Sequence, residues 1–344
     1  MVATTTTQPA AAVRGGLRSM DPARDLKEIA DLIATAFSQR LNARGQAALR
    51  ELRWMARLWP FVAWWAQADP AFREAFNGFV WEKPAARGNK RQVVGNVSLN
   101  RAPGSRQHWI ICNVVVRKDH RRQGIARKLT EAAMNEVEKL EATGILIQVY
   151  QDNQPALHLY TDLGFKEVAG EIDMQLDAVR AVAVLDAPGY QFRPWKSGDG
   201  SDAYSLACRA TAQALQWLRP IRSEDYRLDW GTRLGEWFAA LLKGQRLYRL
   251  AVLQEERLVA TMTLKTAYRR GHHHIEVLID PDHRGQLAAV LVSRALHMLA
   301  AAPPRPVKTT VDKGHRALVK TLRSYGFQEQ STLLTLQRSQ RTGE

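Results

Sequence analysis

The chain has few cysteines and no long apolar run, and these absences narrow the class of protein. Only Cys112 and Cys208 occur among 344 residues, both beside apolar neighbours. A disulfide framework and a cysteine metal site are therefore excluded, and reduced thiols in the cytoplasm are expected. No window approaches 18 uninterrupted apolar residues, so no transmembrane helix is predicted. The start, MVATTTTQPAAAV, has neither the cationic nor the apolar region of a secretory signal, and residues 1–13 are interpreted as a disordered tail.

Acidic residues are also few relative to basic ones. The 34 Asp and Glu stand against 49 Lys and Arg, a formal charge of +15, which favours anionic partners. The basic residues are scattered through both halves and form no helix-turn-helix, zinc-finger or RNA-binding motif, so specific nucleic-acid binding is not expected. Arginine on solvated faces is the simpler interpretation of most of this charge.

The most informative stretch joins a strand to a helix between Asn113 and Leu140. Val114–Val116 are β-branched, whereas the apolar residues after them recur at helical spacing, so the period changes at a turn. Within that turn Arg121, Gly124 and Ala126 fit the pattern [RQ]-x-x-G-x-[GA]. Small residues let backbone N–H groups approach a ligand, and the new helix presents its positive end. Such a turn suits a phosphate.

A second motif follows after the helix and another apolar strand. The segment from Asp152 to Phe165 fits N-x-x-A-x-x-L-Y-x-x-x-G-F at Asn153, Ala156, Leu159, Tyr160, Gly164 and Phe165. With both motifs in this order, the sequence resembles the GNAT superfamily of acetyl-coenzyme A-dependent N-acetyltransferases. The joint pattern is far more specific than either motif alone.

The resemblance implies an α/β fold, with a mostly antiparallel twisted sheet flanked by helices, and acetyl-coenzyme A as the acetyl donor. In this family the strand before the turn binds the pantetheine and the thioester carbonyl through backbone N–H groups, which assigns Val114 and Val116 here. Asn153 would orient the pantetheine or cap the following helix. The implied pyrophosphate cradle consists of Arg121, Arg122, Gln123, Gly124, Ile125, Ala126 and Arg127.

Tyr160 matches the position that in many members protonates the departing coenzyme A. Packing under the cofactor or in the core is the alternative role. The base that deprotonates the amine is not identified, and His108, Glu82 and Asp152 are candidates by residue type and position only. No metal is expected, because His272–His274 lie in a strand and point to alternate faces; a solvated strand start is the interpretation preferred.

The second half of the chain repeats the first. Gly326–Phe327 repeats Gly164–Phe165 at an offset of 162 residues, and His315 then stands where the first half has Asn153. Before the turn Arg284 aligns with Arg121 at an offset of 163, so the second turn is one residue short and RGQLA does not fit the motif. The prediction is a catalytic domain at 14–177, a linker at 178–189 and a degenerate copy of the same fold at 190–340.

The predicted function is transfer of acetyl from acetyl-coenzyme A to a primary amine. A small amine, an aminoglycoside, an amino acid and a protein N-terminus all remain open as acceptors. A non-catalytic acyl-coenzyme A sensor or scaffold is the alternative, and a longer acyl donor is a third. The degenerate copy could shape the acceptor site, brace the first domain or form a homodimer contact. Aromatic residues concentrated between Arg44 and Trp81 form either core or an acceptor pocket: Trp54, Trp59, Phe61, Trp64, Trp65, Phe72, Phe76, Phe79 and Trp81.

Overall fold

A computed structural model describes residues 15–36, 50–51, 53–59, 77–83, 91–227 and 244–339. They form two compact units, one of residues up to 147 together with 338–339, the other of residues 148–337. The predicted tail and five of the predicted aromatic residues lie outside the described residues, namely Phe61, Trp64, Trp65, Phe72 and Phe76. Trp54 is 60% exposed, so this member of the aromatic group is not core.

The first unit is a sheet with a helix packed on each face. Its strands are β1 (Gly16–Ser19), β2 (Asn77–Lys83), β3 (Gln92–Arg101), β4 (His108–Val116) and the first part of β5 (Gly144–Tyr150). The first four pair antiparallel in this order, and β5 pairs parallel with β4.

Helix α1 (Pro22–Ala36) covers one face of this sheet. Asp21 Oδ1 accepts from the Ala23 N–H at 3.0 Å and caps the helix. Ile29 and Ile33 are buried against Val80 and other apolar residues of the strands. A helical spacing of apolar residues therefore decides which face of α1 meets the sheet.

Helix α2 (Ile125–Lys139) covers the opposite face. Ile125, Leu129, Ala133 and Val137 are all buried, which confirms the helical period after the turn. A Cβ at Gly95 of β3 would lie 2.9 Å from the Leu129 side chain, so the absence of a side chain there lets α2 pack closely on the sheet.

The second unit repeats the strand-helix order of the first. Its strands are β6 (Lys166–Leu176), β7 (Gln191–Pro194), β8 (Gln245–Gln254), β9 (Arg257–Ala267), β10 (His273–Ile279), β11 (Val307–Asp312) and β12 (Gln328–Ser339). Its helices are α3 (Gln154–Asp162), α4 (Gly200–Ala210), α5 (Gln213–Leu218), α6 (Arg284–Ala300) and α7 (Arg316–Ser324). The strand order is β12-β6-β11-β10-β9-β8-β7, and β10 pairs parallel with β11, as β4 pairs with β5.

Strand β6 joins the end of the first repeat to the second. It pairs antiparallel with both β11 and β12, so Ile172 lies opposite Val311 on one side and Thr332 on the other. This pairing places β6 in the second unit, although the sequence assigns it to the domain at 14–177. The predicted limits of 14–177 describe the sequence repeat, and they stay a prediction. Contacts in the structure divide the chain after Ile147.

Each repeat contains a buried ion pair that no local pattern in the sequence predicts. In the first, the Arg18 guanidinium donates to both oxygens of Asp25 at 2.7 Å and ties β1 to α1. In the second, Arg193 binds Asp199 in the same bidentate way, with both distances 2.7 Å, at the start of α4. Asp25 is only 2% exposed. The matching geometry of the two pairs supports a common origin of the two halves.

The architecture is a mixed α/β fold with mostly antiparallel strands, as predicted. None of the described helices is both long enough and apolar enough to cross a membrane.

Candidate active site

Strand β4 loses one of its two neighbours halfway along its length. Its parallel pairing with β5 runs from His108 opposite Gly144 to Ile111 opposite Ile147. Pairing with β3 continues to Val116, which lies opposite Gly95. The last residues of β4 therefore keep a paired edge on the β3 side and separate from β5 on the other side.

The backbone of Val116 faces this opening. The Arg117 N–H donates to Val94 C=O at 2.9 Å on the β3 side, so the peptide groups of Val116 point the other way. There the Val116 C=O accepts from Arg121 Nε at 3.1 Å. Alternation along the strand gives Val114 the same direction as Val116. Both predicted strand residues thus turn backbone groups toward the open side of β4.

A bulge in β4 at Asn113 creates this arrangement. Asn113 has a φ of +52°, and the register against β3 shifts between Asn96 and Ser98. Asn96 is fully buried, and its Nδ2 donates to Asn113 C=O at 3.1 Å. The sequence-based predictions do not include Asn96, whose signal is the one polar side chain within the apolar run Val93–Val97 of β3. It positions the bulge that separates the two strands.

The turn after β4 has two residues in left-handed conformations. Arg122 has a φ of +62° and Gly124 a φ of +74°. A Cβ at Gly124 would meet nothing within 4 Å, so the dihedral angle, not crowding, favours glycine there. Left-handed residues in a turn let neighbouring N–H groups point to one side, as in anion-binding nests.

Helix α2 starts at this turn with its first N–H groups uncovered by any side-chain cap. The first N–H groups of a helix have no partner within it, and they carry its positive end. Arg121, Arg122 and Gln123 are exposed, while Ile125 is buried and anchors the helix. The structure therefore brings the predicted cradle from Arg121 to Arg127 together around one helix start.

A cleft of about 690 Å³ lies beside this turn in the first unit. The turn side carries Arg117, Lys118 and Arg121, whereas α1 contributes Glu28 and Asp31. Asp119 on the turn side and Arg91 also line it, so charge of both signs is mixed around the cleft.

The corresponding turn of the second unit lacks the cradle. Helix α6 begins at Arg284, directly after a 3-10 turn at Pro281–His283, so the residues aligned with the first turn are helical. Gly285 is not among the residues with positive φ. The predicted deletion of one residue removes the loop, and the second copy is degenerate at this point.

Tyr160 and Asn153 lie in the second unit, on and before α3. Tyr160 is 5% exposed, and its ring packs edge-on against Phe165 with centroids 6.1 Å apart. Burial raises the pKa of Tyr160 above its ordinary value, so the phenol stays protonated. Asn153 occupies the N-cap position of α3 but makes no side-chain cap hydrogen bond, and it is exposed. The Asn153 side chain therefore does not cap α3. The cofactor role of Asn153 stays a prediction.

Two of the three candidate bases have other roles. Glu82 is 8% exposed and accepts from Arg18 Nε at 2.6 Å, with Arg91 at 3.4 Å. His108 begins β4, so about 20 Å of strand separates it from Val114. Its Nδ1 lies 2.8 Å from Ser105 Oγ, and burial lowers its pKa. Asp152 is exposed.

The Cys112 thiol and the His273 ring are both held in unreactive forms. Burial raises the pKa of the Cys112 thiol to about 12, so it stays protonated. His273 is fully buried, and its ring nitrogens bond Ala267 N–H at 3.0 Å and Pro303 C=O at 2.9 Å. The expected solvated strand start is therefore wrong for His273, which the parallel pairing of β10 with β11 buries. No group of three metal-binding side chains occurs among the described residues.

Comparison with known proteins agrees with this geometry. Residues 46–165 match the model of the acetyltransferase (GNAT) family. A GCN5-related N-acetyltransferase from Sphaerobacter thermophilus is 17% identical, with 98% of each chain covered and a TM-score of 0.56. A probable N-acyltransferase from Enterococcus faecalis V583 is 12% identical over 95% of this chain and 72% of that one, with a TM-score of 0.51. A tandem GNAT protein from the clavulanic acid biosynthesis pathway is 17% identical over 96% of this chain and all of that one, at a TM-score of 0.49.

At these identities the solved structures show a shared fold, which extends over nearly the whole chain. The fold, the separated strand and the glycine turn agree with the match of residues 46–165 to the model of the GNAT acetyltransferase family.

Proposed function

We propose that the first repeat transfers an acetyl group from acetyl-coenzyme A to a primary amine. The observation that carries this proposal is the left-handed turn at Arg122 and Gly124, which leads directly from the unpaired edge of β4 into α2. Together these features offer backbone donors to a thioester arm and a positive helix end to a pyrophosphate. A structural turn needs neither an exposed helix start nor a strand that separates from its neighbour.

The coenzyme would lie along β4 with its pyrophosphate at the turn. The N–H groups of Val114 and Val116 would bind the pantetheine and the thioester carbonyl, and the residues from Arg121 to Arg127 would hold the pyrophosphate. When the amine attacks the thioester, the carbonyl oxygen gains negative charge, which a positioned N–H group stabilises. Holding both reactants in place supplies much of the remaining acceleration.

The departing thiolate needs a hydrogen-bond donor or a proton, and Tyr160 is the residue proposed for that role. Because burial raises the pKa of its phenol, the proton is present throughout the physiological range. The same shift widens the gap to a thiol, whose ordinary pKa is about 8.5, so full proton transfer becomes less favourable. A hydrogen bond from the phenol to the sulfur as charge develops fits both facts.

The cleft in the first unit is lined by charge of both signs. Its carboxylates are those of Glu28, Asp31 and Asp119, and its basic residues are Arg91, Arg117, Lys118 and Arg121. Glu28 accepts from the Val93 N–H at 2.8 Å, and Asp31 and Asp119 are paired with Arg53 and Arg117. The charge of the cleft therefore leaves the acceptors that the sequence allows on an equal footing.

Calorimetric titration with acetyl-coenzyme A tests the proposal. Gly124→Asp places a carboxylate at the predicted pyrophosphate site, in a conformation that Asp tolerates better than most residues. Gly285→Asp is the matched control, because Gly285 also has open space around its Cβ position and lies at the helix start of the second repeat. We expect one site per chain, lost in Gly124→Asp and kept in Gly285→Asp.

Catalysis requires a second measurement. Release of free thiol in the presence of a panel of primary amines is expected for the wild type and not for Gly124→Asp. Tight binding without thiol release from any amine would instead favour the sensor or scaffold. If acetyl-coenzyme A still binds Gly124→Asp, or if two sites per chain titrate, then the pyrophosphate site has been assigned to the wrong turn.

A further inference from the structure

The second unit gathers arginine and tyrosine side chains at one end of its sheet. Strand β8 begins where β9 ends, since Gln245 lies opposite Ala267, and β10 and β11 begin together, since His273 lies opposite Val307. The side chains that form the tyrosine-arginine patch at this end are those of Arg246, Tyr268, Arg269, Arg270 and Arg305. They come from three separate segments, so in the sequence they read as scattered charge.

Packing and backbone hydrogen bonds hold this patch in place. The Arg246 guanidinium lies over the Tyr268 ring, with its Cζ 4.9 Å from the ring centroid, a cation–π contact. The Tyr268 N–H donates to Gly244 C=O at 2.8 Å. A Cβ at Gly244 would lie 2.7 Å from Arg269 Cγ, so the stem of Arg269 crosses the chain where there is no side chain. One terminal nitrogen of Arg305 donates to Arg269 C=O at 2.7 Å. The loop after β9 is therefore fixed beside the start of β8.

The patch is accessible, and its charge is not neutralised by the acidic residues that the structure describes. Tyr268 is 36% exposed, and Arg246, Arg269 and Arg270 are exposed as well. The ion pairs described in the second unit involve other basic residues, namely Arg193, Arg209, Arg219, Arg257, Lys313 and Arg323. The patch therefore presents free positive charge beside an open aromatic ring.

Acidic residues of the same strands lie away from the patch. Glu255 and Glu256 form the turn at the opposite end of β8 and β9, and Asp280 follows the far end of β10. At the patch end of the sheet, Asp177 follows β6 and Glu329 lies in β12. Strands β10 and β11 separate both of these strands from β9. Positive charge therefore predominates beside β8 and β9, where it attracts an anionic partner.

We propose that the tyrosine-arginine patch binds single-stranded nucleic acid without sequence preference. The arginines contact phosphates, while the Tyr268 ring and the Arg246 guanidinium stacked on it offer flat faces to unpaired bases. A duplex fits the patch less well, because its bases are already stacked on one another. A membrane also fits less well, because the loop from Tyr268 to His272 contains no aliphatic side chain and no Trp or Phe to enter a bilayer. This binding does not depend on acetyl transfer by the first repeat.

Fluorescence anisotropy of a labelled oligouridine of about twelve nucleotides, titrated with the full-length protein, tests the proposal. We expect saturable binding that weakens as salt rises, because each bound phosphate releases counterions. Tyr268→Ala should weaken binding about tenfold, whereas Tyr268→Phe keeps the ring and should bind like the wild type. Arg269→Gln and Arg270→Gln should each reduce the slope of log affinity against log salt by about 0.7, the value for one phosphate contact on a single strand. Oligothymidine of the same length shows whether RNA or DNA is preferred.

Arg257→Gln is the matched control, since Arg257 is exposed at the opposite end of β9 and is paired with Asp280. It should leave the affinity and the salt slope unchanged. Polyphosphate carries charge but no bases, so it should bind the wild type and Tyr268→Ala equally. The proposal would be overturned if oligouridine did not bind saturably, if Tyr268→Ala bound it as tightly as the wild type, or if Arg257→Gln lowered the slope as much as Arg269→Gln. Binding to vesicles containing phosphatidylserine but not to oligouridine would overturn it in favour of a membrane.

Discussion

His315 is a buried imidazole whose neutrality makes the fold sensitive to acid. In the unfolded chain its pKa is about 6.5, whereas in the folded protein burial and Arg284 lower the pKa to about 4. Between these values the unfolded state binds a proton that the folded state does not, so the free energy of unfolding falls as the pH falls from 6.5 to 4.

His315→Asn should remove this dependence. We expect the wild type to lose about 2 kcal/mol more stability than the variant between about pH 7 and pH 4.5, after allowance for solvent screening. Urea denaturation of both proteins at the two pH values measures the difference, and other titrating groups cancel in the comparison. An equal acid response in the two proteins would mean that His315 is protonated at little cost when folded.

Tyr160→Phe separates chemistry from packing at the proposed active site. Removing only the hydroxyl leaves the edge-on contact with Phe165 in place. If the phenol stabilises the leaving thiolate, kcat should fall about a hundredfold with KM nearly unchanged. Steady-state thiol release measures both constants. Tyr248→Phe, at a tyrosine 37% exposed in the second repeat, is the control for loss of a hydroxyl. Unchanged kcat in Tyr160→Phe would assign the ring to packing.

At the scale of elements, the bidentate pair between Arg18 and Asp25 fixes the first strand to the first helix. Arg18→Ala should destabilise the fold by about 3 kcal/mol, because it leaves a buried carboxylate without its partner. Arg193→Ala should act in the same way on Asp199 in the second repeat. The matched control is Arg53→Ala, which breaks the exposed pair with Asp31 and should cost less than about 1 kcal/mol. Denaturant midpoints report all three, and a small loss in Arg18→Ala would contradict the argument.

How far the sequence predicts an element depends on how local its causes are. The turn after β4 depends on Arg121 to Ala126 alone, and helix α2 has a strong period, so both were predicted. The bulge at Asn113 depends on Asn96, a residue 17 positions away on another strand. The pairing of Arg18 with Asp25 likewise gives no local pattern that distinguishes it from surface charges. Contacts across strands are decided by packing, which a single sequence does not display.

At the scale of the whole molecule, the sequence predicts two repeats but not how their strands are shared. The predicted domain at 14–177 includes β6. The sequence does not show which strands pair with β6, because antiparallel partners can come from any part of the chain. In the structure those neighbours are β11 and β12, from the last 38 residues of the chain. The sequence repeat and the folded units consequently have different boundaries.

Cutting the chain at the predicted linker should therefore yield halves that do not fold independently. A fragment of residues 1–177 would keep β6 without either partner strand and would expose Ile172 and Met174, which are 5% and 1% exposed in the intact chain. Unpaired apolar strand edges associate with one another, so each half alone is expected to aggregate. Co-expression of 1–177 with 178–344 should restore a soluble pair with the sheet reassembled. Size-exclusion chromatography and circular dichroism of both fragments, separately and together, provide the measurement. A monomeric, cooperatively unfolding 1–177 fragment would show that the first repeat folds alone and that pairing with β11 and β12 is dispensable.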